Sequence, residues 1–182
     1  MSVSISAPSF AATGSPTSAE RFAALWQSYH PAVLAYAIRR AGGDVAADVA
    51  TATFAVLWRR IDDPPTEPLP WLYAVARREL ANQRRGEQRR RALLTRLKSR
   101  GAGRDVAGDA AEGATDSIQA AAALMRLSDD DREVLMLLAW EGLDPSAAAT
   151  ALGITPSALA VRLHRARRRL ESQLTIPKEH QS

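Results

Sequence analysis

Arginine is concentrated in a short segment near the end of the chain, residues 156–170, whose sequence is PSALAVRLHRARRRL. A guanidinium group is planar, permanently charged and rich in N–H donors, so it binds phosphate oxygens and the O6 and N7 acceptors of guanine. Such side chains recognise a ligand rather than break bonds in it. If a helix presents them on one side, the segment is suited to binding nucleic acid.

Two short helices joined by a tight turn are predicted to position these arginines. Asp144 is a favoured N-cap residue, Pro145 suits the first turn of a helix, and Gly153 can end one in a left-handed conformation. Thr155 then caps a second helix, whose apolar stripe consists of Leu159, Leu163, Ala166 and Leu170. The pattern predicts a helix-turn-helix.

The side of the second helix opposite this stripe begins with small residues and continues with arginines. In a helix-turn-helix the first turn approaches base edges in the major groove, while later guanidinium groups reach phosphates or guanine. An ordinary solvated basic helix is the alternative, because runs of charge are usually wet faces. The residues predicted to read duplex DNA are Thr155, Ser157, Ala158, Arg162, Arg165 and Arg168.

Composition restricts the remaining possibilities. The 182 residues are 46% hydrophobic, include no cysteine and carry a formal charge of +4. Without cysteine, and with three scattered histidines, neither a metal site nor a cofactor is expected. No run approaches the roughly 20 apolar residues of a membrane span, and the first residues lack the basic start of a signal peptide, so we expect a cytoplasmic protein. The clustered arginines make nucleic acid the expected partner.

Four zones follow one another along the chain. Residues 1–19 are rich in Ser, Ala and Pro and are predicted to be a disordered leader, and residues 99–117 are rich in Gly, Ala and Asp and are predicted to be a flexible linker. Residues 20–98 and 118–176 have helical periodicity. We therefore predict an all-α fold with two small helical domains joined by a flexible linker, the C-terminal one being a helix-turn-helix bundle.

The first helical zone contains three predicted helices. Apolar residues at i, i+3, i+4 and i+7 over residues 22–29 and 54–61 indicate two amphipathic helices, with Asp44 expected to cap the second. Prolines make segment 62–70 extended or turn-like, and the third helix is expected to begin near Trp71.

Aromatic and basic residues are interleaved in that third helix. Trp71 and Tyr73 precede several arginines, and single-stranded DNA is held by such a combination of base stacking and phosphate contact. For Trp71 alone, packing in the core is an equal alternative.

The order of these features resembles the extracytoplasmic-function (ECF) class of bacterial RNA polymerase sigma factors. The resemblance covers residues 20–91, with PWLYAVARRELANQRR at the third helix, and residues 120–174. In the first part it is carried by Asp48, Phe54, Leu57 and Trp58. In the second part it is carried by Leu127, Arg132, Val134, Leu135, Gly142, Ala149, Leu152, Gly153, Ile154, Arg162, Leu163, Arg165, Ala166 and Leu170.

The resemblance implies a function and a role for each part. The protein would bind core RNA polymerase, read the minus-35 duplex through the helix-turn-helix and capture the opened minus-10 strand through the third helix, with loop 62–70 as a pocket for a flipped base. An anti-sigma factor is a further partner of many family members. Polymerase docking would fall to Asp48, Thr51, Trp58 and Arg59. Strand capture would fall to Trp71, Tyr73, Arg77, Arg78, Asn82 and Arg85.

The chain departs from the family pattern at four positions. The family usually has Gln at Thr51, Asn at Arg78, Asp at Asn82 and Glu at Ala147. The changes at Arg78 and Asn82 make the promoter-facing helix more positive. We interpret the departures from the family pattern as signs of an unusual promoter preference or a looser contact with polymerase.

Two other function classes were weighed. A helix-turn-helix regulator acting without polymerase would usually dimerise and read palindromes, and the pattern over residues 20–91 argues against it. An enzyme is disfavoured because the sequence contains no glycine-rich phosphate loop, no Ser-His-acid set and no HExxH motif.

Overall fold

A computed structural model describes residues 16–98 and 116–174 of the chain. These residues form seven α-helices and no strand, which confirms the predicted all-α class. The chain divides into two compact units, Met1–Gly101 and Ala102–Ser182. Most of the predicted leader and linker, residues 1–15 and 99–115, lies outside the described residues.

The N-terminal unit consists of helices α1 (Ser18–Ala41), α2 (Gly43–Trp58) and α3 (Pro68–Lys98), each of which packs against the other two. Thr17 caps α1 in a full capping box with Glu20, so the end of the predicted leader belongs to this helix. The largest fully buried apolar side chains of this unit are Tyr36, Phe54, Leu57, Leu72, Val33 and Val49.

Two predicted helix starts in this unit were wrong. The cap of α2 is Gly42, with φ of 80°, and Asp44 lies in the first turn, where its charge faces the positive end of the helix. Helix α3 begins at Pro68 rather than near Trp71. Proline is tolerated there because the N–H group that it lacks would have no partner within the helix in the first turn. The non-helical connection is therefore limited to residues 59–67.

The C-terminal unit consists of helices α4 (Asp116–Met125), α5 (Asp129–Ala139), α6 (Pro145–Leu152) and α7 (Pro156–Leu174). Helix α4 thus takes in the last two residues of the predicted linker, and residues 175–176 of the predicted domain are outside the described part. All four helices of this unit contribute buried apolar residues, and the buried apolar side chains of the unit include Leu124, Leu127, Met136, Val134, Leu137, Leu152 and Leu159.

The turn between α6 and α7 has the predicted construction. The Ala147 amide donates to Asp144 Oδ1 at 2.9 Å, and the Ala158 amide donates to Thr155 Oγ1 at 3.2 Å, so both helices are capped by side chains. Gly153 ends α6 with φ of 66°, a left-handed conformation that favours glycine. These local contacts confirm the helix-turn-helix.

Candidate nucleic-acid interface

Helix α7 separates apolar from basic residues around its axis. Leu159 and Ala166 are buried, and Leu163 and Leu170 are half-buried on the same side. The opposite side is exposed along its length and presents Ser157, Ala158, Val161, Arg165 and Arg168. A continuous surface of small residues followed by guanidinium groups is therefore available to a ligand, and we call it the α7 face.

The other two residues predicted to read duplex DNA are partly engaged within the protein. Thr155 Oγ1 caps α7 and lies 3.1 Å from Ser157 Oγ. Arg162 is half-buried, and its charge acts on Asp131. Ala147, where the family usually has Glu, is buried in α6, so Asp144 caps that helix without the reciprocal half of a capping box.

A buried carboxylate ties α5 to α7. The Asp131 amide donates to Ser128 Oγ at 3.2 Å, and the Asp131 carboxylate accepts from Arg169 of α7. Burial alone would raise the pKa of Asp131, yet the hydrogen bonds from Arg169 and Ser128 and the charges of Arg169 and Arg162 lower it below its ordinary value. The pair helps fix α7 in place, and withdraws Arg169 from the α7 face.

Replacing this carboxylate should change how stability depends on pH. Since the folded-state pKa of Asp131 is lowered, its ionised form stabilises the fold above the unfolded-state pKa of about 3.9, and the gain is lost as pH falls through the folded pKa. We expect Asp131→Asn to lower the free energy of unfolding by about 1 kcal/mol at neutral pH, since the Arg169 partner is mostly exposed. The difference should shrink in acid.

Urea unfolding of the full chain with Trp26, Trp58 and Trp71 replaced by phenylalanine measures this effect, because Trp140 is then the only tryptophan that fluoresces. Asp130→Asn is the matched control, since it removes the same charge from the same helical turn at an exposed position. A difference between Asp131→Asn and the parent that stayed constant down to acid pH would contradict the assigned role.

The two aromatic residues predicted for strand capture lie in different environments. Trp71 is half-buried at the start of α3, and the guanidinium of Arg60 lies 5.8 Å from the centre of its ring. Tyr73 is only 2% exposed, and its ring stacks on Tyr36 at 4.7 Å. Trp71 is therefore accessible to a base, whereas Tyr73 packs inside the unit and could not stack on a base without leaving Tyr36.

The polar residues predicted for strand capture follow one side of α3. Arg78, Asn82 and Arg85 are exposed at helical spacings of four and three, so they share a face, and Arg77 is half-buried beside them. Asn82 Oδ1 accepts from Arg85 Nη2 at 2.6 Å. The asparagine thus orients a guanidinium group on this surface.

A basic cleft next to this surface was not predicted from the sequence. It has a volume of about 570 Å³ and lies between the end of α1, the start of α2 and the middle of α3. Arg84 Nη2 donates to the Arg40 carbonyl oxygen at 3.1 Å, which joins α3 to the end of α1. The charged residues that line the cleft are Arg40, Arg84, Arg90, Arg91 and Glu87.

The residues predicted to dock on polymerase share one side of α2. Asp48, Thr51, Trp58 and Arg59 are all exposed and fall within an arc of about 100° around the helix axis. Trp58 is 48% exposed and packs edge-on against Phe22 at 5.2 Å. Phe54 and Leu57, by contrast, are fully buried and belong to the core of the unit.

Within the described residues no group of three or more metal-binding side chains occurs, and no helix is both long and apolar enough to cross a membrane.

Comparison with known proteins identifies both units. Residues 25–90 match the family model of sigma-70 region 2, and residues 117–170 match that of sigma-70 region 4. Over 150 residues, which are 80% of this chain and 84% of the relative, the chain is 32% identical to the ECF RNA polymerase sigma factor SigL of Mycobacterium tuberculosis.

Two solved structures are also similar. The sigma factor RpoE of Bartonella quintana, solved in complex with the anti-sigma factor NepR, has a TM-score of 0.57 and 26% identity, covering 86% of this chain and 98% of RpoE. CnrH, solved in complex with the cytosolic domain of CnrY, has a TM-score of 0.57 and 25% identity, covering 86% of this chain and 94% of CnrH. The chain therefore belongs to the ECF family of RNA polymerase sigma factors.

Proposed function

We propose that the two units of this sigma factor contact different parts of one promoter while the N-terminal unit is docked on core RNA polymerase. The observation that carries the proposal is the α7 face, which offers small residues and then Arg165 and Arg168 along one exposed side of a capped helix. That order of residues fits the major groove of the minus-35 duplex.

Polymerase docking is assigned to the exposed side of α2. Trp58 is an aromatic side chain of the kind that dominates protein interfaces, and it is exposed on the same side as the charged Asp48 and Arg59. The buried Phe54 packs against Phe22, as Trp58 does, and so supports this surface without reaching a partner.

Strand capture is assigned to Trp71 together with the basic side of α3. A base can stack on the half-buried ring of Trp71, while Arg78 and Arg85 contact phosphates and Asn82 holds Arg85 in place. Arg77 lies beside this surface. Tyr73 contributes indirectly, because its stacking on Tyr36 fixes α3.

The protein is proposed to act without catalysing a reaction, since the family directs polymerase and is not a class of enzymes. It would work in the cytoplasm, where polymerase is found. Because RpoE was solved with an anti-sigma factor, an inhibitory protein of that type is proposed as a further partner.

Transcription in vitro with purified core polymerase and a library of promoters tests this function. The protein should create start sites that core polymerase alone does not use, with sequence preferences near minus-35 and minus-10. Unchanged start sites would contradict the proposal. Binding to duplex DNA without a complex with core polymerase would favour the regulator alternative.

Replacing Arg165 by alanine tests the role of the α7 face. If Arg165 reads a base, we expect the free energy of binding to minus-35 duplexes to weaken by about 1–3 kcal/mol, with relaxed preference at one position. Fluorescence anisotropy with duplexes selected from the library measures both quantities.

Arg167→Ala is the matched control, because it removes the same exposed charge from the same helix away from the α7 face. An equal loss on every duplex sequence would assign Arg165 to phosphate contact instead and contradict base reading.

A further inference from the structure

Arg21, near the start of α1, reaches across to the connection between α2 and α3. Its Nε donates to the Ile61 carbonyl oxygen at 3.2 Å, and its Nη2 donates to Asp62 Oδ1 at 2.6 Å. Two further donors of Arg21 bind the Pro16 carbonyl oxygen at 2.8 Å and Ser18 Oγ at 3.1 Å. One side chain thus joins the first turn of α1 to two consecutive residues of the connection.

The same network is closed by a second contact on the carboxylate. Ser18 Oγ donates to Asp62 Oδ1 at 2.8 Å, so this oxygen accepts from both Ser18 and Arg21. The Ile61 side chain is buried in the unit, and the Ile61 carbonyl oxygen accepts a hydrogen bond from Arg21. The backbone at 61–62 is therefore fixed both by burial of the Ile61 side chain and by hydrogen bonds from α1.

Arg60 connects this held segment to the proposed strand-capture surface. Its Nη2 lies 3.6 Å from Asp63 Oδ2, and its guanidinium lies 5.8 Å from the centre of the Trp71 ring. Arg60 thus directly precedes the two residues that Arg21 binds and also lies close to the Trp71 ring. A displacement of residues 61–62 would move Arg60 relative to that ring.

We propose that Arg21 is a positioning residue for strand capture, which fixes the 59–67 connection beside Trp71 and so determines how strictly a minus-10 base is selected. The inference rests on the proposed function of α3. The inference involves no contact between Arg21 and DNA, since four of the five N–H donors of Arg21 bind Ile61, Asp62, Pro16 and Ser18.

The exposure of the Arg21–Asp62 pair distinguishes a positioning role from a contribution to global stability. Asp62 is 83% exposed and Arg21 26%, and ion pairs between such groups contribute little to global stability. Loss of the network should instead loosen the connection locally, since short irregular segments depend on such contacts for their order. Selectivity is expected to suffer more than folding.

The test compares holoenzyme containing the parent chain with holoenzyme containing Arg21→Ala. A fluorescent base analogue in the minus-10 element reports opening, on promoters that carry each of the four bases at each minus-10 position. For the parent, a wrong base at a selected position should reduce opening about tenfold or more. For Arg21→Ala this ratio should shrink to about twofold, while affinity for core polymerase and the thermal midpoint stay near parental values.

Two further variants sharpen the result. Arg39→Ala, which removes an exposed arginine from the other end of α1, should retain parental selectivity. Asp62→Asn should reduce selectivity in the same direction but less, because the contacts of Arg21 with Ile61 and Pro16 do not involve the carboxylate.

Parental selectivity in Arg21→Ala would overturn the inference. So would an equal loss of opening on all promoters together with a lower thermal midpoint, because that result indicates a purely structural role. Failure of the parent chain itself to direct initiation would instead contradict the proposed function.

Discussion

Phe54→Ala is expected to lower the free energy of unfolding of the N-terminal unit by about 3–5 kcal/mol. Phe54 is fully buried, and its ring lies 4.7 Å from that of Trp26 and 5.7 Å from that of His30. Removing the ring leaves a cavity beside Phe22, against which the exposed Trp58 also packs, so affinity for core polymerase should fall as well. Urea unfolding followed by tryptophan fluorescence measures the first effect, and polymerase binding measures the second.

Trp58→Ala is the comparison that separates folding from docking. Because Trp58 is half-exposed, its loss should affect unfolding much less, but as an aromatic anchor it should cost about 2 kcal/mol or more of polymerase affinity. If both variants weakened binding only in proportion to their loss of stability, the docking role of α2 would be refuted.

Leu159→Ala is expected to lower the free energy of unfolding of the C-terminal unit by about 2–5 kcal/mol. Leu159 is 1% exposed near the start of α7, where its side chain packs this helix into the core. Binding to minus-35 duplexes should be lost at temperatures where the parent still binds. Urea unfolding followed by Trp140 fluorescence, with the other three tryptophans replaced by phenylalanine, reports this unit, and anisotropy reports duplex binding.

The same substitution at the other end of α7 provides the control. Leu174 is 50% exposed, so Leu174→Ala should change stability by no more than about 0.5 kcal/mol. Equal losses in the two variants would mean that α7 is not held through its first turns, contrary to the burial of Leu159.

Local signals account for the part of the fold that could be predicted. The caps at Asp144 and Thr155, the left-handed Gly153 and the apolar stripe of α7 act over a few residues, so the sequence pattern was sufficient to predict the helix-turn-helix. The start of α1 was missed although the spacing of Thr17 and Glu20 is a capping-box signature.

Contacts between distant residues account for most of what could not be predicted. Tyr73 has the sequence context of a base-stacking residue, but its environment is set by Tyr36 on another helix. Likewise, nothing adjacent to Arg21 in the sequence points to Asp62, and nothing adjacent to Arg40 points to Arg84. Hydrophobic period and charge describe one helix at a time, whereas these sites depend on packing between helices.

The small buried side chains of α6 limit where changes of promoter preference can arise. Five of its eight residues are buried, and four of these are alanine, at positions 147, 148, 149 and 151. Side chains this short allow neighbouring backbones to approach closely and leave no space for larger substitutes. Substitutions inside α6 would therefore displace its neighbour, while the exposed positions of α7 can vary without repacking. New binding specificities are thus most accessible through surface changes on one helix, at little cost to the fold that carries them.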